Sequence, residues 1–218
     1  HNGNVRAKKI DSDTNTALPD TKLKFEYDGK TKEVITDKDG YAALNDIKAG
    51  TKVKVTEVTA PNGYVNASEL KEVTIEPNKT IEVILGNKKQ LGNVELTKIG
   101  REFGTTMYNQ YYSLNGAVYG IYTEAGKKVG AITTDVTGKG HLNGLALGKY
   151  YALEEKAPVG YLLNTEKLPF ELKYASQTAQ VSTASIKGVD QEQLGNVTLI
   201  KEDAETDDKA QGSASLDG

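Results

Sequence analysis

Apolar and polar residues alternate along most of the chain. Val5-Arg6-Ala7-Lys8-Lys9, Lys22-Leu23-Lys24-Phe25-Glu26-Tyr27 and Lys52 to Glu57 each place every second residue on one face, the period of a strand with one side against a core. Val73-Thr74-Ile75 and Ile81-Glu82-Val83-Ile84-Leu85 read the same way, separated by Pro77-Asn78. Asp28-Gly29 and Asp37-Lys38-Asp39-Gly40 supply the turn chemistry that reverses a chain between strands. No window of helical length carries an amphipathic period. Short strands with turns every 8–12 residues or so predict a β-sandwich.

The pattern then starts again. Gly-Asn-Val occurs at residues 3, 92 and 195, each time opening an alternating run that ends in a lysine: Lys9, Lys98 and Lys201. Glu57-Val58-Thr59-Ala60-Pro61-Asn62-Gly63-Tyr64 matches Glu154-Glu155-Lys156-Ala157-Pro158-Val159-Gly160-Tyr161 in the frame Glu-x-x-Ala-Pro-x-Gly-Tyr. In the second unit, Ala117–Tyr122, Tyr150–Glu154 and a run near Ala179–Ile186 repeat the strand order of the first. The spacings of 89 (5 to 94) and 103 (94 to 197) residues are those of whole domains, too long for solenoid repeats. The expected organisation is a sandwich over 3–91, a second over 92–194, and the start of a third repeat over 195–218. Ser215-Leu216-Asp217-Gly218 parallels Ser113-Leu114-Asn115-Gly116, which makes the sequence read as part of a longer array. His1-Asn2-Gly3 reads as an artificial edge.

Composition narrows the chemistry. The chain has 218 residues, no Cys and two His, which removes disulfides, thiolate metal sites, Cys nucleophiles and His-dependent triads. No metal or cofactor is expected. A net charge of −3 lacks the basic field that a nucleic-acid partner requires. No apolar run approaches the roughly 18 residues of a membrane span.

Each complete unit holds a lysine on its first strand, a glutamate on a middle strand, and an amide or acid near the end of its last. These are Lys9, Glu57 and Asn87, then Lys98, Glu154 and Asp190; each acceptor lies five positions before the next Gly-Asn-Val. The lysine-ended opening strand, the Glu-x-x-Ala-Pro-x-Gly-Tyr box and the closing Asn resemble the tandem Cna B-type (SpaA-like) domains of Gram-positive surface adhesins and pilins. The resemblance implies an all-β fold of tandem immunoglobulin-like (Cna B-type, prealbumin-like) sandwiches. It also implies an intramolecular isopeptide bond from Lys9 to Asn87 and from Lys98 to Asp190, promoted by Glu57 and Glu154. It further implies a stalk or pilus-type module on the outside of a Gram-positive cell wall, with other domains of the same protein or pilus subunits as partners.

Residue chemistry is consistent with that implication. Burial lowers the pKa of a lysine and raises that of a carboxyl group. A neutral amine can attack an amide or acid carbon while a glutamate polarises the carbonyl and moves protons. Ammonia leaves if the acceptor is Asn87, water if it is Asp190. The reaction runs once per bond, so the chain is not expected to be an enzyme with turnover. Lys8 and Glu155 are expected to face outward, and Lys201 has no acceptor within the sequence.

Two further segments are candidates. Arg101 to Ser113 lengthens the second unit and gathers Tyr108, Tyr111 and Tyr112. This is either cover for the domain's own core or a surface for a host extracellular-matrix protein, the alternative function. Asp11-Ser12-Asp13-Thr14-Asn15 begins like a calcium loop but lacks its Gly and its closing Glu.

Overall fold

The computed structural model describes residues 1–202 and 204. Within them lie fifteen strands and no helix. β1 (Asn2–Asp11), β2 (Lys22–Tyr27), β3 (Lys30–Ile35), β4 (Tyr41–Lys48), β5 (Lys52–Thr59), β6 (Tyr64–Val65), β7 (Leu70–Thr74) and β8 (Thr80–Lys89) form the first unit. β9 (Leu91–Gly100), β10 (Val118–Thr123), β11 (Lys128–Thr133), β12 (Lys139–Ala146), β13 (Gly148–Lys156), β14 (Leu168–Leu172) and β15 (Val181–Asp190) form the second.

Each unit is a sandwich. In the first, a sheet ordered β4-β1-β8-β6 faces one ordered β3-β2-β5-β7; in the second, β12-β9-β15 faces β11-β10-β13-β14. Alternation dictates the cores. Val5, Ala7, Val83 and Leu85 point from one sheet toward Leu23, Phe25, Val53 and Val55 of the other. Val94 and Leu96 meet Tyr119, Ile121 and Ala152 in the same way. The opening strands β1 and β9 share one burial pattern over all ten residues.

The pairing of first and last strands positions the chemistry. β1 runs parallel to β8 from Asn4↔Thr80 to Asp11↔Asn87, and β9 runs parallel to β15 from Leu91↔Val181 to Gly100↔Asp190. Both strands of each pair therefore end on the same side of the sandwich, with the lysine of one beside the acceptor of the other.

Tyr41–Lys48 and Lys139–Ala146 are full strands against β1 and β9, although neither stands out as a strand in the sequence. Polar residues and glycines interrupt their alternation, and the backbone ladder carries them. Val197–Lys201 repeats the opening alternation but forms no strand, and Val197, Leu199 and Ile200 are exposed. An alternating run becomes a strand only against a partner, and none of the described residues pairs with this one. Most of the third repeat's expected features, including Ser215–Gly218, lie outside the described residues.

After Lys9 the two units solve one problem in two ways. The loop leaving β1 turns back on Asp11, whose Oδ1 accepts N–H bonds from Asp13 (2.8 Å) and Thr14 (3.1 Å) and whose Oδ2 accepts the Tyr64 hydroxyl at 2.9 Å. Burial alone would raise the Asp11 pKa; these three bonds and the Lys89 charge outweigh it and hold it low. Both carboxylate oxygens are thus engaged by the chain itself, in a loop that superficially reads as a calcium site. In the second unit Gly100 stands in place of Asp11. The carboxylate comes instead from Glu192, in the position of Lys89, and accepts N–H bonds from Glu102 (3.0 Å) and Phe103 (3.1 Å). A Cβ on Gly100 would collide with that carboxylate and with the Tyr161 ring.

Only Gln90 separates β8 from β9. Its buried side chain donates to the carbonyls of Ser176 (3.1 Å) and Ala179 (2.8 Å) and accepts from the Ala175 N–H (2.7 Å). Gln177 answers from the second unit, bonding both the N–H and the carbonyl of Ala60 at 2.7 and 3.0 Å. Tyr174 donates its hydroxyl to the Tyr64 carbonyl at 2.8 Å. The β14–β15 loop is therefore seated on the Ala-Pro-x-Gly-Tyr segment of the preceding unit, and a one-residue connection becomes a fixed joint.

Two outcomes are expected. Gln90→Ala leaves three backbone groups of the joint without partners, at about 1–3 kcal/mol each. The units should then tumble with separate correlation times by NMR relaxation while each keeps its melting transition; a single shared correlation time would show that the joint does not depend on Gln90. Gly100→Asp should destabilise the second unit by about 1–3 kcal/mol in urea through overpacking beside Glu192. Adding Glu192→Lys should recover most of that loss, because it restores the first unit's arrangement.

Candidate functional site: two buried lysine clusters

The inward face of β1 reads Val5, Ala7, Lys9, so the alternation that buries two apolar side chains buries a lysine with them. Lys9 and Lys98 are both 0% exposed, as are Asn87 and Asp190; Glu57 and Glu154 are buried as well. Lys8 is half-buried on the other face, and Glu155 is exposed, accepting the Tyr122 hydroxyl and pairing with Lys128 at 2.9 Å.

Backbone geometry holds each lysine. The turn glycines Gly40 and Gly138 both have φ of +79°, accept the Lys9 and Lys98 N–H at 2.8 and 2.6 Å, and lie so close to the lysine carbonyl that a Cβ would strike it. Only glycine combines that φ with that approach.

In the first unit Lys9 Nζ lies 2.5 Å from Glu57 Oε2. Glu57 Oε1 accepts the Ala67 N–H at 3.0 Å and the Asn87 amide at 2.8 Å, and the Asn87 Nδ2 also donates to the Val65 carbonyl at 2.7 Å. The Asn87 amide is held by both its hydrogens, while its Oδ1 has no hydrogen-bond partner. Apart from the ion pair, Lys9 Nζ and Glu57 Oε2 have none either. Burial pushes the Lys9 pKa down; the hydrogen bond and charge of Glu57 oppose it without cancelling it.

The second unit repeats the layout. Lys98 Nζ donates to Glu154 Oε2 at 2.6 Å and contacts Asp190 Oδ1, and Glu154 Oε1 accepts the Asn164 N–H at 3.0 Å. Burial raises the Asp190 pKa to about 7, helped by the neighbouring Glu154 carboxylate and opposed by Lys98. Tyr119 adds a group that matching the repeats does not single out: its hydroxyl accepts a hydrogen bond from Lys98 Nζ at 2.6 Å. The signal in the sequence is a tyrosine at an inward position of β10 where β2 carries Leu23.

Lys201 is exposed and joins no such cluster among the described residues. The tyrosines of the 101–113 loop divide. Tyr112 is half-buried, meets Tyr161 edge-on at 6.0 Å and donates its hydroxyl to the Gln193 carbonyl at 2.7 Å. Tyr108 stacks on Phe103 at 4.9 Å yet remains exposed, as does Tyr111. Much of this loop therefore covers its own domain. Among the described residues no group of three or more acidic or His side chains is arranged to hold a metal ion.

Comparison with known proteins agrees with this architecture. The family model described as SpaA, prealbumin-like fold domain, matches twice, over residues 3–89 and 92–187. The trypsin-resistant surface T6 protein of Streptococcus pyogenes serotype M6 is 35% identical over 72 residues, which is 33% of this chain and 13% of that protein. Among solved structures, the TIE protein of Bacillus anthracis is similar with a TM-score of 0.70 and 26% identity, over 88% of this chain and 34% of that one. A streptococcal ancillary pilin aligns over 85% of this chain and 62% of its own, with 21% identity and a TM-score of 0.39. The chain thus spans a small part of the surface protein and about a third of the TIE protein. With two matches that together cover most of its length, it belongs to the family of SpaA prealbumin-like fold domains.

Proposed function

We propose that this chain is a load-bearing module of a Gram-positive surface stalk or pilus-type protein, locked by one isopeptide bond in each of the units 3–91 and 92–194. The observation that carries the reading is a fully buried lysine beside a buried glutamate and a carbonyl acceptor, arranged alike in both units. A buried ion pair is a poor device for stability, because desolvating the two charges costs several kcal/mol per ion. Finding it twice at the same place points to a reaction that uses it.

In the first unit Glu57 takes a proton from the Lys9 ammonium. The freed amine attacks Asn87 Cγ, and the amide nitrogen leaves as ammonia with the protons returned through Glu57. In the second unit Lys98 condenses with Asp190 and water leaves. Folding supplies the proximity, which can be worth roughly 7–11 kcal/mol of barrier.

Strand direction gives the bond its use. Tension enters at the start of β1 and leaves at the end of β8. A bond from Lys9 to Asn87 takes the loop of 78 positions between them out of the force path. By the chain-entropy model used for disulfides, closing a loop of that length stabilises by roughly 4–5 kcal/mol. The fixed joint at Gln90 passes the load to β9, where Lys98 and Asp190 repeat the arrangement.

A second reading, contact with a host matrix protein through residues 101–113, is favoured by the exposure of Met107 (65%), Tyr108 (68%) and Tyr111 (67%). Retention on immobilised collagen or fibronectin, lost on Tyr108→Ala and Tyr111→Ala, would support it.

Intact mass under denaturing conditions tests the main reading. The expected deficit is one ammonia plus one water, and peptide mapping should join the Lys9 segment to that of Asn87 and the Lys98 segment to that of Asp190. Glu57→Ala should abolish the ammonia loss and spare the water loss. A full sequence mass with free lysines at both sites would sink the proposal.

A further inference from the structure

The two clusters differ in a linked way. On β2, Leu23 pairs with Glu57; on β10, Tyr119 pairs with Glu154. On β8, Leu85 pairs with Lys9; on β15, Gly188 pairs with Lys98. A Cβ on Gly188 would land on the Tyr119 hydroxyl. The phenol therefore fits because the facing strand gives up its side chain, and the leucine pair of the first unit becomes a tyrosine–glycine pair in the second. The third difference is the acceptor itself, Asn87 against Asp190.

The chemistry of the acceptor connects these changes. Asn87 carries two donor hydrogens, and they hold it against Glu57 and the Val65 carbonyl. An ionised Asp190 has none, and neither of its oxygens has a hydrogen-bond partner apart from the contact with Lys98. The second site thus holds one more acidic group and has lost the amide donor. Tyr119 accepts from Lys98 Nζ at 2.6 Å and pairs in register with Glu154, whose Oε2 the same Nζ reaches at 2.6 Å, so an O–H stands beside both the nucleophile and the glutamate.

Resting on the cross-link reading, we propose that Tyr119 is a catalytic residue of the second unit: its hydroxyl relays a proton from Lys98 to Glu154, an adaptation to an acid acceptor that the amide acceptor of the first unit does not need. One proton of the Lys98 ammonium passes to Asp190, giving an amine and a carboxylic acid. Nζ attacks Cγ, and the carbonyl π pair moves onto oxygen. The surplus proton on nitrogen passes to the Tyr119 oxygen as the phenol gives its own proton to Glu154. Glu154 delivers that proton to the Asp190 hydroxyl, which leaves as water as the carbonyl re-forms. Two lysine protons and one aspartate oxygen depart, the third lysine proton stays on the amide, and Tyr119 and Glu154 end as they began. Burial first, then the Glu154 and Asp190 charges, raises the Tyr119 pKa, so the phenol keeps its proton until the relay.

The test is a time course of the whole chain, made by cell-free synthesis, quenched in acidic denaturant and read by peptide mass. Ammonia loss from the first unit serves as an internal clock. Tyr119→Phe keeps the ring and removes the relay; water loss from the second unit should slow by about a hundredfold, while the clock is unchanged. In an Asp190→Asn background, Tyr119→Phe should leave the rate of ammonia loss from the second unit unchanged. Tyr119→Leu with Gly188→Leu, which copies the first unit's pair, should be equally slow with Asp190 and competent with Asp190→Asn, and it decides the matter if Tyr119→Phe misfolds. Water loss at the unsubstituted rate in Tyr119→Phe overturns the proposal, as does equal slowing in both acceptor backgrounds. If the unsubstituted chain loses no water at all, the cross-link reading of the second unit falls, and this proposal with it.

Discussion

A lysine in the interior of a sandwich is the constraint around which each unit is arranged. β1 and β9 bury every second residue, and the fourth buried position is a lysine in both. A desolvated ammonium must have a counter-charge close by, and Glu57 and Glu154 supply it at 2.5 and 2.6 Å. The surrounding geometry serves that pair. Glycine at 40 and 138 lets the turn lie against the lysine backbone, and the N–H of Ala67 or Asn164 fixes the glutamate from the far side. Parallel pairing with β8 or β15 brings the acceptor alongside.

The proposed bond removes this stress in a different manner in each unit. Condensation of Lys98 with Asp190 converts two buried charges into one neutral amide. Displacement of neutral ammonia from Asn87 leaves Glu57 holding the proton it took from Lys9, so neither charge of the pair remains. On that proposal the buried ion pair is the starting state of a reaction in both units, which would account for a feature that is a poor choice as a permanent stabiliser.

The units are also instructive where they differ. A carboxylate that ties down the loop after the first strand comes from Asp11 in one and from Glu192 in the other, across the sheet. The volume beside the lysine is filled by Leu23 and Leu85 in one and by Tyr119 opposite Gly188 in the other. In each case a position on one strand has changed together with its neighbour on another, so packing density and hydrogen bonding are kept while the chemistry shifts.

The sequence alone was enough for the strand character, the all-β class and the repeated lysine, glutamate and acceptor, because period-two alternation and equal offsets are local properties. β2 was legible residue for residue; β4 and β12 were not, since their alternation is broken and pairing with β1 and β9 makes them strands. Tertiary structure alone decided that Asp11 ties down the loop after β1, that Glu192 does so in the second unit, that Tyr119 touches Lys98, and that Gln90 and Gln177 clasp the two units. Comparing repeats finds residues that stay in place. A compensation across the sheet changes two positions far apart in the chain, and so looks like unrelated variation until the strands are paired.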